Sequence, residues 1–156
     1  MPFWFVTTVS TGIRDDRLST EAVLARLKRN SELLASGKVD ISLLKMDLNV
    51  HWDIGENFSR ERIILNKIVP FSRAGLIRNV RFLNLSDTRE GLSDYAFRFL
   101  EGDDDGNGSK IESFEYDNYD GVGMTIQELT RLDQALQSNT GNYLRKFGIE
   151  IGRVHV

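Results

Sequence analysis

The run Asp103-Asp104-Asp105-Gly106-Asn107-Gly108-Ser109 places carboxylate and amide oxygens at alternating positions around a glycine. A tight turn can converge such hard donors on a calcium ion. The position where a calcium loop needs its bidentate carboxylate, twelfth from Asp103, is Phe114, and Glu115 comes one residue late. The flanks, Tyr95 to Leu100 and Ile111 to Tyr116, alternate like hairpin strands. The expectation is therefore an exposed acidic hairpin tip, replaceable by a short Asn-Gly turn, with no metal favoured. Asp103, Asp105 and Asn107 are the residues that would ligate calcium if the loop did bind it.

Two other constellations could do chemistry. Gly121-Val122-Gly123 precedes a helix start, where free N–H groups can receive phosphate. No lysine follows in the phosphate-binding position and Asp117 and Asp120 repel an anion, so a turn feeding the helix is expected. His51 alternates with Asp47, Asn49 and Asp53 and could serve as a general base. It has no nucleophile elbow and no second histidine at metal-ligand spacing, so a solvent-facing strand histidine is expected and no catalytic residue or cofactor is assigned. A small hydrolase-like enzyme using His51 is the third functional reading.

The charge distribution carries more information. Residues 60 to 89 hold Arg60, Arg62, Lys67, Arg73, Arg78, Arg81 and Arg89 against Glu61 and Asp87, a surplus of five positive charges. Residues 94 to 120 hold Asp94, Glu101, Asp103, Asp104, Asp105, Glu112, Glu115, Asp117 and Asp120 against Arg98 and Lys110, a surplus of seven negative charges. Blocks of opposite sign can form separate basic and acidic docking faces, or compensate one another across adjacent strands. The net charge of -3 argues against a general nucleic-acid coat, and no specific nucleic-acid readout is expected.

These residues must be positioned by one domain spanning residues 1 to 156, since 40% hydrophobic and 10% aromatic residues supply a core and there are only two prolines and no linker. The opening run Phe3 to Val6 reads as a strand, without the basic region or cleavage site of a signal peptide. With no cysteine, an intracellular, cytoplasmic protein is expected. Thr11 to Arg17 reads as a polar turn. Leu24, Leu27 and Leu34 predict a helix over 20 to 35.

From Val39 to Ile54 the period becomes two, with Leu44, Met46, Leu48, Val50, Trp52 and Ile54 expected to face inward. Further strands are expected at Arg62 to Val69, Leu76 to Leu85, Tyr95 to Leu100 and Lys110 to Tyr116. Thr125 and Glu128 form a capping box that opens a helix over 125 to 137. Asn142 to Phe147 reads as another helical turn and Ile149 to Val156 as a last strand, with no internal repeat. The fold class expected is α+β: an antiparallel sheet of about five or six strands covered by two helices.

Three segments of this order resemble the globular domain of rhabdovirus matrix proteins. They are Phe3-Trp4-Phe5-Val6-Thr7-Thr8-Val9, the amphipathic stretch Thr20 to Leu34, and Tyr143-Leu144-Arg145-Lys146-Phe147-Gly148-Ile149-Glu150-Ile151. The resemblance implies a self-assembling structural protein that binds a nucleocapsid or an acidic membrane surface, and a virion-associated location. The leading functional expectation is a non-enzymatic assembly protein with protein partners and homo-oligomerisation through the charged faces. The alternative is a carrier of a small apolar ligand, held in a cavity lined by Met46, Val50, Trp52, Phe97 and Phe99.

Overall fold

Strand β3 (Met46–Trp52) has the alternation that the sequence predicts: Met46, Leu48 and Val50 are buried while Asp47 and Asn49 are partly exposed. The computed structural model describes residues 3–9, 13–18, 20–52, 58–84, 92–103, 105–118, 125–139 and 143–151. Leu44 is also buried; the Trp52 side chain and Ile54 lie outside the described residues. The strand starts later than its pattern because Asp40 accepts from the Ser42 N–H at 2.9 Å and caps a tight turn over Ile41–Leu43.

The segment after β3 corrects the expected architecture. Arg62 to Val69 is not a strand: it belongs to α2 (Phe58–Ile68) and its C-terminal end. Ile64, Leu65 and Ile68 are buried while Ile63, Asn66 and Lys67 are exposed, which is helical spacing. Pro70 then opens the short α3 (Pro70–Arg73), where its missing N–H is not needed. Gly75, at φ +81°, turns the chain into β4 (Ile77–Asn84).

Tyr95 to Leu100 is likewise helical, in α4 (Leu92–Arg98) and the turn that follows it. Ala96, Phe97, Phe99 and Leu100 are all buried, a pattern no half-exposed strand produces. The next strand, β5 (Ser113–Asn118), is thus separated from β4 by a helix rather than a hairpin turn.

A helix between two sheet neighbours lets them run parallel. Strands β3, β4, β5 and β6 (Lys146–Ile151) form a four-stranded, all-parallel sheet. Two further strands, β1 (Phe3–Val9) and β2 (Ile13–Leu18), add antiparallel on the β3 side, giving the order β2-β1-β3-β4-β5-β6. The protein is therefore α/β, not an antiparallel α+β sheet. Two short apolar segments, 62–69 and 95–100, form helices where strands were expected, and their crossovers set the parallel direction. Ile13 to Arg17, expected as a turn, lies in β2; the last strand begins at Lys146, so Phe147 and Gly148 are inside it and do not end a helix.

Parallel strands added one after another in one direction, with right-handed crossovers, carry their helices to a single face. Burial follows this rule. Val23 and Leu27 of α1 (Thr20–Ala35), Ile64, Leu65 and Ile68 of α2, Phe97 of α4 and Leu132 and Ala135 of α5 (Ile126–Ser138) join Met46, Leu48, Val50, Val80, Phe82, Phe114 and Tyr116 in one core. Thr125 Oγ1 accepts from Glu128 N and Glu128 Oε1 from Thr125 N, both at 3.1 Å, so the capping box expected at α5 is present.

The strand–helix unit repeats. Sheet partners Asp47, Asn79 and Ser113 are 32 and 34 residues apart in sequence, and Lys146 lies about 33 beyond Ser113. This structural repeat has no visible counterpart in residue identities.

Phe114 sits at the centre of the core, fully buried, its ring 6.3 Å from Phe82, 6.2 Å from Phe97 and 5.9 Å from Phe147. Phe114→Ala is expected to lower unfolding stability by about 3–5 kcal/mol in urea titration, whereas Thr125→Ala, which removes one cap, should lower it by only about 1 kcal/mol.

Candidate functional site

With every described helix on one face, the other face of the sheet is left to its alternate residues. Asp47 and Asn49 come from β3, Arg78, Asn79 and Arg81 from β4, Ser113, Glu115 and Asp117 from β5, and Lys146 and Gly148 from β6; none of these is buried. A bulge sets the first row. Met46 pairs with Ile77 but Asp47 with Asn79, so Arg78 is an extra residue in β4 and both Arg78 and Asn79 reach Asp47.

The polar groups bond across the strands. Asn79 Nδ2 donates to Asp47 Oδ1 at 2.9 Å, Ser113 Oγ donates to Asn79 Oδ1 at 2.7 Å, and Arg78 Nε approaches Asp47 Oδ1 at 3.5 Å. Arg81 lies 3.6 Å from Glu115 and 3.4 Å from Asp117, and Lys146 Nζ is 2.8 Å from Glu115 Oε1. At the edge of this network Lys45 Nζ is 3.8 Å from Glu112 Oε2.

The Arg81 side chain is half exposed, at 51%, and partly exposed ion pairs contribute only about 0–1 kcal/mol each. A shallow cleft of about 310 Å³ opens beside them, lined by Arg81, Glu115, Tyr116, Asp117 and Gly148. Gly148 forms its floor: a Cβ there would meet nothing closer than Glu115 Cγ at 3.9 Å.

The basic and acidic blocks of the sequence therefore meet. Arg78 and Arg81 pair with acids on neighbouring strands. Lys67 is exposed on α2, and the side chains of Arg60, Arg62, Arg89, Asp94, Asp104 and Asp120 lie outside the described residues. Arg73 is on the helical side, its Nε donating to the Glu101 carbonyl at 3.2 Å, while the Glu101 carboxylate is held by Arg131. Together with Arg98, which donates to Asn66 Oδ1, these groups line a second cleft of about 400 Å³ between the C-terminal ends of α2 and α4 and the middle of α5. There each arginine ties one helical segment to another.

Four of the positions expected to line an apolar cavity, Met46, Val50, Phe97 and Phe99, are fully buried, and the Trp52 side chain lies outside the described residues. The Phe97 ring lies 5.7 Å from Tyr116 and Phe99 lies 5.6 Å from Phe82. His51 is in β3, in register with Trp4 and Leu83, and its side chain is outside the described residues, as are Gly121 to Gly123. Sequence reasoning named Arg78, Arg81, Glu115 and Asp117 but missed Asn79, Ser113 and Lys146 as parts of one surface. Aligning the polar positions at a spacing of about 33 residues would have grouped them.

The loop 102–109 is not a hairpin tip. It joins α4 to a parallel strand and is anchored at both ends. Gly102 N donates to Ser138 Oγ at 3.2 Å, and a Cβ on Gly102 would collide with the Ser138 carbonyl. Ser109 is fully buried, and Lys110 N donates to the Ser72 carbonyl at 2.9 Å. Only Asp105, Gly106 and Asn107 are exposed among its described residues.

Asp103 Oδ1 accepts from Asp105 N at 3.0 Å and Asn107 N at 2.8 Å, and Oδ2 from Asn107 Nδ2 at 2.9 Å. Among the described residues no group of three or more His, Asp or Glu side chains could hold a metal.

Comparison with known protein families, with characterised proteins and with solved structures finds no match to this chain. No helix among the described residues is long and apolar enough to cross a membrane.

The hydrogen bonds from the Asn107 side chain and backbone, with a smaller contribution from Arg73, hold the Asp103 carboxyl below its ordinary value of 3.8. A depressed carboxyl stabilises the folded loop above its unfolded pKa, and that contribution is lost as pH falls through the folded value. An NMR titration should place the Asp103 midpoint below that of an unstructured aspartate, and Asn107→Ala should raise it. Calcium is expected to leave the loop amide resonances unmoved.

Proposed function

We propose that this protein is a non-enzymatic interaction module that receives a protein partner on the open face of its sheet. The observation that carries this reading is the division of the sheet: every described helix packs on one face, while the other presents hydrogen-bonding and charged side chains around a shallow cleft. A broad, shallow, polar surface with one modest depression suits a protein surface better than an enclosed small molecule.

Charge narrows the partner class. Among the described side chains Asp47, Glu115 and Asp117 stand against Arg78, Arg81 and Lys146, so this part of the face is balanced. A nucleic acid or acidic membrane draws on a surplus of positive charge, which these described side chains do not supply. A protein surface with both signs could exchange these intramolecular pairs for intermolecular ones with little net change in solvation. The functional unit is then not a basic patch and a separate acidic patch but their joint row. Self-association and a nucleocapsid partner, implied by the matrix-protein resemblance, are narrower forms of the same reading.

Asn49→Arg adds a bulky cation beside Arg81 without removing any of these ion pairs. It is expected to weaken partner retention at least roughly tenfold in a quantitative pull-down, whereas Gln134→Arg, on the exposed side of α5, should leave it unchanged. Equal retention by both variants would remove the open face as the docking surface.

A further inference from the structure

The two edges of the sheet differ in chemistry. At one edge β2 carries Arg14, Asp15, Asp16 and Arg17 among its six residues, the kind of charged edge that discourages strand addition. At the other, β6 reads Lys146-Phe147-Gly148-Ile149-Glu150-Ile151, with Phe147 41% exposed.

Helix α5, which joins β5 to β6, is also left uncovered on one side by the described residues. Arg131 of α5 reaches across to Glu101, just beyond α4. Leu129 and Leu136 lie on the opposite flank, two turns apart, with Ile126 one turn earlier. Leu129 is 50% exposed and Ile126 82% exposed. Among the described residues, strands β3, β4 and β5 each pair on both sides, whereas β6 pairs only with β5.

We infer that this edge is the interface with a second copy of the chain, formed by antiparallel pairing of β6 with β6 about a two-fold axis through Gly148. The sequence of the strand is complementary to itself in this register alone. Centred on Gly148, Lys146 stands opposite Glu150 of the second copy, and Phe147 opposite its Ile149. Because the interface is two-fold, each pair occurs twice. By register, positions 146 and 150 pair with Ser113 and Asp117 of the open-face row, and positions 147 and 149 with the buried Phe114 and Tyr116.

A slip of one residue would bring charged positions opposite apolar ones and set the two copies' faces out of step. A two-fold axis perpendicular to the sheet keeps both helical layers on one side, so the Leu129 flank of α5 meets its counterpart. Lys146, already 2.8 Å from Glu115 of its own chain, would then lie between two carboxylates. The inference does not rest on the open-face reading, since it uses the edge and not the face.

Sedimentation equilibrium of the full chain tests it. The wild type is expected to form a dimer, and Leu129→Lys a monomer with unchanged circular dichroism. Lys146→Glu and Glu150→Lys should each weaken dimerisation roughly tenfold. The double reversal should restore it, even though the Lys146 contact with Glu115 remains lost. A wild type that stays monomeric, a dimer insensitive to Leu129→Lys, or a double reversal that fails to rescue would each overturn the proposed interface. Retention of a partner by Leu129→Lys would leave the open-face reading standing whatever the oligomeric outcome.

Discussion

The parallel pairing of β3 with β4 is the constraint on which the remaining structure depends. Two parallel neighbours cannot be joined by a tight turn, so residues between Trp52 and Ile77 must travel back along the sheet, and they do so as α2 and α3. Once the first crossover lies on one face, each later strand added on the far side of its predecessor repeats the geometry. The α4 and α5 crossovers are copies of that first solution. The core, the open face and the outer β6 edge are consequences of it: apolar residues are gathered under the helices, and no described helix packs on the other side of the strands.

That division explains why the open face is polar without being a strong source of stability. Its ion pairs are partly exposed, and the bonds from Asn79 to Asp47 and from Ser113 to Asn79 substitute for water that those groups would otherwise hold. Their effect is geometric. A side chain bonded to its neighbour on the next strand keeps one rotamer, so the face presents a fixed pattern of donors and acceptors at lower entropy cost to anything that docks. The aromatic cluster below, with Phe114 between Phe82, Phe97 and Phe147, holds the strands that carry this pattern.

The parts of the fold legible in the sequence were those that carried two signals at once. Helix α1 had Leu24, Leu27 and Leu34 at helical spacing with Arg26, Lys28, Arg29 and Glu32 between them, α5 had a complete capping box ahead of its apolar positions, and β3 had three buried residues alternating with polar ones. Helices α2 and α4 had neither. Ile63-Ile64-Leu65 is apolar three times running and fits a strand as readily as a helix, and Tyr95, Phe97 and Phe99 alternate although the chain there is helical or turning. Two errors of local type then reversed a global property, because a strand between strands implies a meander and a helix between strands permits a crossover. The site was partly legible for a related reason. Charged residues such as Arg81 and Glu115 announce themselves, but Asn79 and Ser113 acquire meaning only from strand neighbours that composition cannot supply.

Repetition also relates the two surfaces. Within the sheet each parallel strand receives a neighbour whose residues are offset by roughly one strand–helix unit, and cross-strand pairs are chosen by that neighbour: Arg81 against Glu115, Lys146 against Glu115. Among the described residues strand β6 has no such neighbour on its outer side, so its own sequence either repels additions, as the charges of β2 do, or specifies what is added. A lysine and a glutamate placed symmetrically about a glycine, with apolar residues between them, specify an antiparallel copy and disfavour a parallel one, in which like charges would stand in line. The same alternation that separates core from open face within the chain thus also determines which strand can extend the sheet beyond it.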